Sequence, residues 1–199
     1  MIRDMIQSTV LTQATRDRLC KGFQAALRTA DESTLAFTSE PTRLKRWRDA
    51  GIAVLELTLL PIRGADGVLD DDKCLAIFDF IQSLVWFLMG KKWKDTDLNA
   101  VWGVILDADR EAGLFSYSLG FVTKGRKNDD MLVTNTELML IVLDQLARYS
   151  PAIAARLIAL GAMEICERVL NGEIRTFPRV KSGINDLYSS LMDATYPGQ

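Results

Sequence analysis

One absence limits the chemistry open to this chain, since its 199 residues include no histidine. Ser–His and Cys–His nucleophilic pairs, histidine general bases and histidine-ligated metal sites all need an imidazole. The three cysteines, Cys20, Cys74 and Cys166, lie far apart in apolar helical contexts. This is typical of buried thiols in a reducing compartment, not of disulfides or a metal cluster. We therefore predict no catalytic residues, no cofactor and no metal, and we expect that the protein is not an enzyme.

Carboxylates are the next candidates, because clusters of them can hold hard cations. Two groups qualify: Asp70–Asp72, and the alternating set Asp107, Asp109 and Glu111. Neither has the glycine and distal glutamate of a calcium loop, and both coincide with a helix end. We therefore predict helix capping and a solvated face for both groups. Asp79 is alone in an apolar run, and we predict that it lies at the solvent-facing edge of an amphipathic helix, although a buried site residue is the alternative.

The segment GFVTKGRK (Gly120–Lys127) has the glycines of a phosphate-binding loop but lacks its other residues. Such a loop needs a lysine and then Ser or Thr after the second glycine, to hold the phosphates and magnesium. Arg126 and Lys127 follow Gly125 here, so we predict a solvent-exposed turn.

Basic residues recur in clusters, two of which surround a tryptophan, and together they form a candidate surface for an anionic ligand. The residues are Arg43, Lys45, Arg46, Trp47 and Arg48; Lys91, Lys92, Trp93 and Lys94; and Lys124, Arg126 and Lys127. Tryptophan amid cations could stack nucleic-acid bases or lie at anionic lipid headgroups. The alternative is that the cations are solvated while the tryptophans reach into the core. With 24 basic and 26 acidic residues the net charge is −2, so no global field favours nucleic acid.

Helices must position these residues, and the apolar spacing predicts them over much of the chain. The predicted helices cover residues 4–30, the stretch from Pro41 through Trp47, residues 73–89, and the stretch from Asp95 to Gly113. The run at residues 53–62 fits either a strand or a continued helix. The apolar stretch Cys74–Gly90 raises the question of a membrane span, but it has only 17 residues and contains Asp79. Because a carboxylate is costly in a bilayer, we predict a buried core helix and no transmembrane segment.

The segment Leu114–Val122 shows a different pattern, in which large apolar or aromatic residues alternate with serine or glycine. A period of two predicts a strand, with Met131–Thr134 as its partner in a small β-hairpin. Thr134 and Glu137 then predict a capping box for a helix over residues 135–149. Further along, Ser150–Pro151 predicts the start of a helix that Asn171–Gly172 closes, and residues 184–191 predict a final amphipathic helix packed on the body.

Two stretches share a small-residue and glycine step between apolar runs, at Ala50–Gly51 and at Leu160–Ala162, and each step predicts a tight helix-turn-helix. The second lies in Asn135–Gly172, which resembles one unit of an armadillo or HEAT-type helical repeat. A long helix is followed there by a short one from Ile153, and Gly161 leads into the next helix. The stretch Arg43–Leu60 is a looser match. The resemblance implies a concave protein-binding surface, and an irregular helical bundle is the alternative fold.

We therefore predict a mainly α protein of one domain over residues 1–199. It would be a compact helical bundle or a short helical-repeat-like array, with a small β-hairpin near residues 114–133. We expect a non-enzymatic protein-interaction or assembly module that presents helical surfaces to a protein partner or to a second copy. The alternative is a structural or accessory protein that binds nucleic acid or an anionic membrane through the basic and tryptophan clusters. No small-molecule substrate is indicated. The first residues carry charge too early for a signal peptide, so we expect a cytoplasmic location.

Overall fold

The computed structural model describes residues 12–32, 41–63, 69–89, 95–123 and 130–196. Within these ranges the chain forms nine helices and no strand, which confirms the mainly α prediction. The helices are α1 Gln13–Glu32, α2 Pro41–Arg63, α3 Asp71–Met89, α4 Asp95–Ala112, α5 Leu114–Thr123, α6 Asp130–Tyr149, α7 Pro151–Ala159, α8 Ala162–Leu170 and α9 Pro178–Thr195.

The chain divides into two compact units. Unit 1 comprises Met1–Val68 and Asp79–Ala108, and unit 2 comprises Leu69–Phe78 and Asp109–Gln199. The two units are defined by which residues lie close together, and this does not show whether they unfold together. The single domain over residues 1–199 therefore stays a prediction.

Unit 1 has a core of leucines and aromatic rings. Leu55 and Leu59 of α2 and Leu84 and Leu88 of α3 have no exposed surface. Phe23 of α1 contacts Trp47 of α2 and Phe80 of α3, with ring centroids 5.7 and 6.1 Å apart. Their burial removes a large apolar area from water, which is the main stabilising contribution to such a unit.

The apolar segment of α3 is a buried core helix, as predicted. Leu84, Val85 and Leu88 are at most 1% exposed. Among the described helices, none combines the length and the apolar character that crossing a bilayer requires.

Helix α2 runs without a break through Ala50–Gly51, so the helix-turn-helix predicted there is wrong and residues 53–62 are helical. Gly51 is buried, and a Cβ placed on it would lie 2.5 Å from Leu84 Cδ1. The glycine therefore serves the close approach of α2 and α3 and does not turn the chain.

Unit 2 is organised around α9, which packs against α6, α7 and α8. Its apolar face carries Ile184, Leu187 and Leu191, all without exposed surface. A Cβ on Gly183 would lie 3.2 Å from the Cβ of Leu140, so α9 and α6 approach closely. This confirms the prediction that a final amphipathic helix packs back on the body.

Several predicted helix ends are confirmed. Asp70 Oδ1 accepts a hydrogen bond from Lys73 N at 2.8 Å, and this bond is the main reason that the pKa of Asp70 is lowered. Ser150 Oγ accepts from Ile153 N at 3.4 Å, and a proline follows it at the first position of α7. Gly161 and Gly172, with φ of 80° and 82°, begin and follow α8 in the left-handed conformation that favours glycine.

The strand and hairpin predicted over residues 114–133 are wrong, because Leu114–Thr123 is α5 and Met131–Thr134 lies within α6. Ser118 is buried, and its hydroxyl donates to the Phe115 carbonyl at 2.8 Å, so its polar group is satisfied inside the helix. The capping box at Thr134 and Glu137 is also wrong, because α6 begins at Asp130. The predicted exposed turn at Gly120–Lys127 begins with the last turn of α5, and its residues from 124 onward lie outside the described residues.

Candidate interaction surfaces

The predicted anionic-ligand surface is described only at its first cluster. Arg43 lies in the first turn of α2, and Lys45 and Arg46 are exposed. Lys91, Lys92, Trp93, Lys94, Lys124, Arg126 and Lys127 lie outside the described residues. The structure therefore does not test the candidate surface beyond its first cluster.

The tryptophan of that first cluster belongs to the core of unit 1. Trp47 is half-buried and contacts Phe23 and Phe87, with ring centroids 5.7 and 5.5 Å apart. Arg48 Nη2 pairs with Asp49 Oδ1 at 2.8 Å, so one cation of the cluster is already compensated. Trp47 therefore has less free ring surface for stacking a base than the sequence pattern indicates.

A different tryptophan is exposed. Trp86 on α3 has 59% of its surface accessible, although Val85 and Phe87 on either side are 1% and 5% exposed. Because tryptophan is highly buried on average, an indole held in solvent by a buried helix marks a candidate contact surface. The exposure of Trp86 was not predicted, because its immediate neighbours are apolar and only the helical spacing from Asp79 and Ser83 indicates its face.

A polar stripe precedes Trp86 on the same face of α3. Asp79, Ser83 and Trp86 are spaced by four and then three residues, which places them in line. Asp79 Oδ2 accepts from Gln24 Nε2 of α1 at 2.8 Å, and Ser83 Oγ donates to the Asp79 carbonyl at 3.0 Å. Asp79 is half-buried on the face that exposes Trp86, as predicted for the solvent-facing edge of an amphipathic helix, and it has a hydrogen-bond partner in Gln24.

The acidic group at the end of α4 contains a buried carboxylate. The Asp109 side chain has no exposed surface and accepts from Arg156 Nε of α7 at 2.6 Å and from Phe115 N of α5 at 2.8 Å. Asp107 and Glu111 are exposed, as predicted for a solvated face. Asp109 instead caps α5, and its ion pair with Arg156 connects the turn at Gly113 with α7. Its role is therefore structural. No feature of the sequence near Asp109 points to Arg156, which lies 47 residues away.

Two described thiols and one phenol have pKa values raised above their ordinary values. Burial raises the pKa of Cys166 to about 12 and also raises that of Cys20. Burial, and then the hydrogen bond that its hydroxyl donates to Asp71 Oδ1 at 2.5 Å, raise the pKa of Tyr117. A reactive thiol or phenol needs a lowered pKa, so these groups favour a structural role.

Two further observations concern metal-binding clusters and the similarity of the chain to known proteins. Within the described ranges, no three carboxylates or cysteines come together in a way that could hold a metal ion. The chain matches no family model, no curated protein and no solved structure.

Proposed function

We propose that this protein is a non-enzymatic interaction or assembly module that associates with a second copy of itself through the exposed face of α3. The observation that carries the proposal is the 59% exposure of Trp86. A tryptophan supplies a large contact area and is among the residues most enriched at binding hot spots.

The rigidity of α3 supports this role. Leu84, Val85, Phe87 and Leu88 around Trp86 are buried, so the helix holds the indole in place before a partner arrives. Pre-positioning of an anchor lowers the conformational entropy lost on binding. Burial of such an anchor is not screened by salt, so the association should persist at high ionic strength.

The fold of α6, α7 and α8 adds support. A 20-residue helix, a nine-residue helix and a left-handed glycine at position 161 follow in the order that the resemblance to an armadillo or HEAT-type unit implies. We propose that Asn135–Gly172 is such a unit and that the module acts in the cytoplasm. Helix α8 has only nine residues, where the resemblance implies a long third helix.

The second candidate function is binding of nucleic acid or an anionic membrane. The exposed Lys45 and Arg46 favour it, whereas the packing of Trp47 against Phe23 and Phe87 weighs against it. Binding of this kind falls steeply as salt rises, because it depends on charge neutralisation.

Sedimentation velocity at increasing protein concentration in high salt tests the proposal. We expect concentration-dependent association of the natural chain that Trp86→Ala abolishes. The matched control is Tyr196→Ala, which removes an aromatic ring that is 50% exposed in unit 2 and should leave the association unchanged. A chain that stays monomeric in high salt, and that binds RNA or anionic vesicles until Lys91, Lys92 and Lys94 are reversed in charge, would overturn the proposal.

A further inference from the structure

Helix α1 presents two cations in line on its exposed face. Lys21 and Arg28 are both exposed and are seven residues apart, which places them on one face about 10 Å apart along the axis. Within the described part of the chain neither side chain makes an ion pair or hydrogen bond. Gly22 and Ala25, also exposed, lie near them and leave room for a close neighbour.

Helix α9 presents two carboxylates with the same spacing. Asp186 and Asp193 are exposed and seven residues apart, and Ser182 and Ser189 beside them are exposed and small. Within the described residues neither carboxylate makes an ion pair or hydrogen bond. Asp186 does lie near enough to Arg148 to add slightly to the raised pKa of that guanidinium, whose main partner is Asp144.

We propose that α1 of one copy lies along α9 of a second copy, with Lys21 opposite Asp186 and Arg28 opposite Asp193. The matched seven-residue spacing lets both pairs form at once when two helices pack nearly parallel with small residues between them. All four side chains are exposed within a single chain, so a second copy is the occupant that this complementarity indicates. This inference rests on the proposed assembly function and adds a second, charged contact to it.

Reversing the charges on one helix at a time tests the contact. The variant Lys21→Glu/Arg28→Glu and the variant Asp186→Lys/Asp193→Lys each place like charges opposite each other, and each should associate about tenfold more weakly than the natural chain in low salt. When the two variants are mixed, the reversed α1 meets the reversed α9, and association should return. Sedimentation velocity in low salt measures all three samples, and far-UV circular dichroism checks that the exposed substitutions leave the fold intact.

The matched control is Arg110→Glu/Arg175→Glu, which changes the net charge equally at exposed positions outside the contact. We expect the control to associate as the natural chain does. The inference would be overturned if the mixture associates no more strongly than either variant alone. It would also be overturned if the control variant associates as weakly as the α1 variant. The same holds if the α1 variant instead loses binding to RNA or to anionic vesicles. Loss of this contact would leave the Trp86-dependent association in high salt unchanged, so the two proposals fail separately.

Discussion

At the scale of single residues, two Arg–Asp pairs of unit 2 differ in burial and so in their expected contribution to stability. Arg156 Nε lies 2.6 Å from Asp109 Oδ2, and that carboxylate has no exposed surface. Arg148 Nη2 lies 3.1 Å from Asp144 Oδ2, where Arg148 is 55% and Asp144 15% exposed, and Asp144 also accepts a hydrogen bond from Ser190 Oγ. Removing the partner of a buried charge leaves that charge uncompensated. When one member of a more exposed pair is removed, water solvates the remaining charge.

We predict that Arg156→Ala lowers the free energy of unfolding by about 3 kcal/mol, because Asp109 keeps only the Phe115 N–H as a partner. Arg148→Ala, the matched control, should cost less than ~1 kcal/mol. Urea unfolding followed by circular dichroism measures both values. Equal losses for the two variants would show that Asp109 reaches water when Arg156 is removed.

At the scale of elements, two glycines in similar sequence contexts do different things. Gly161 turns the chain with a φ of 80°, whereas Gly51 lies inside α2 and packs against Leu84. The sequence predicts a turn at both, because a small residue and a glycine between apolar runs is compatible with either outcome. What separates them is the close approach of α3 to Gly51, a long-range contact that local pattern does not contain.

Helix α5 is a second case in which the local sequence pattern fits two different structures. Phe115, Tyr117, Leu119 and Phe121 alternate with polar or small residues, yet burial follows the helical period, with Leu114, Phe115, Ser118, Leu119, Phe121 and Val122 buried. Over ten residues both periods fit the sequence. The bond from Phe115 N to the buried Asp109 carboxylate caps the helix, and this contact lies outside the alternating segment. The helix ends at Asp70 and Ser150 were by contrast predictable from local chemistry, whereas the capping box at Thr134 and Glu137 was not.

The contact between α2 and α3 leads to a prediction about the free energy of unfolding of variants at Leu84 and Gly51. Leu84→Ala should cost ~2–5 kcal/mol of unfolding free energy, since Leu84 has no exposed surface. Gly51→Ala should cost ~1–3 kcal/mol, because its methyl would overlap the Leu84 side chain. In the double variant the new methyl occupies space that Leu84 leaves, so the combined loss should be smaller than the sum by ~1 kcal/mol.

The control is Gly103→Ala in α4, where a Cβ meets nothing within 4 Å. This change should stabilise the protein by ~0.5–1 kcal/mol, since alanine has less backbone freedom than glycine to lose when the unfolded chain forms the helix. Thermal and urea unfolding of the four variants provide the comparison. Strictly additive losses for Gly51 and Leu84 would show that the two helices separate to admit the methyl group.

At the scale of the whole molecule, composition predicts the fold class but does not predict that the chain divides into two compact units. With 48% apolar residues and helical spacing over most of its length, the sequence indicates a helical protein with an ordinary core. The assignment of residues 71–78 and 79–89 of one helix to different units depends on contacts between distant segments. No composition shift marks this division, so the sequence predicts a single domain.

The chain carries separate reporters for its two units, which makes the single domain testable. The described tryptophans, Trp47, Trp86 and Trp102, lie in unit 1, and Cys166 lies in unit 2. The Cys166 thiol has no exposed surface, and burial raises its pKa to about 12, so it should react with an alkylating reagent only when unit 2 opens.

We predict that tryptophan fluorescence and alkylation of Cys166 report the same urea midpoint, because one cooperative domain exposes both reporters in a single transition. Peptide mass spectrometry distinguishes Cys166 from Cys20 and Cys74 at each urea concentration. Arg156→Ala provides an internal check, since it weakens unit 2 directly and should lower both midpoints together. If that variant moves the alkylation midpoint and leaves the fluorescence midpoint in place, the units unfold independently and the chain consists of two domains.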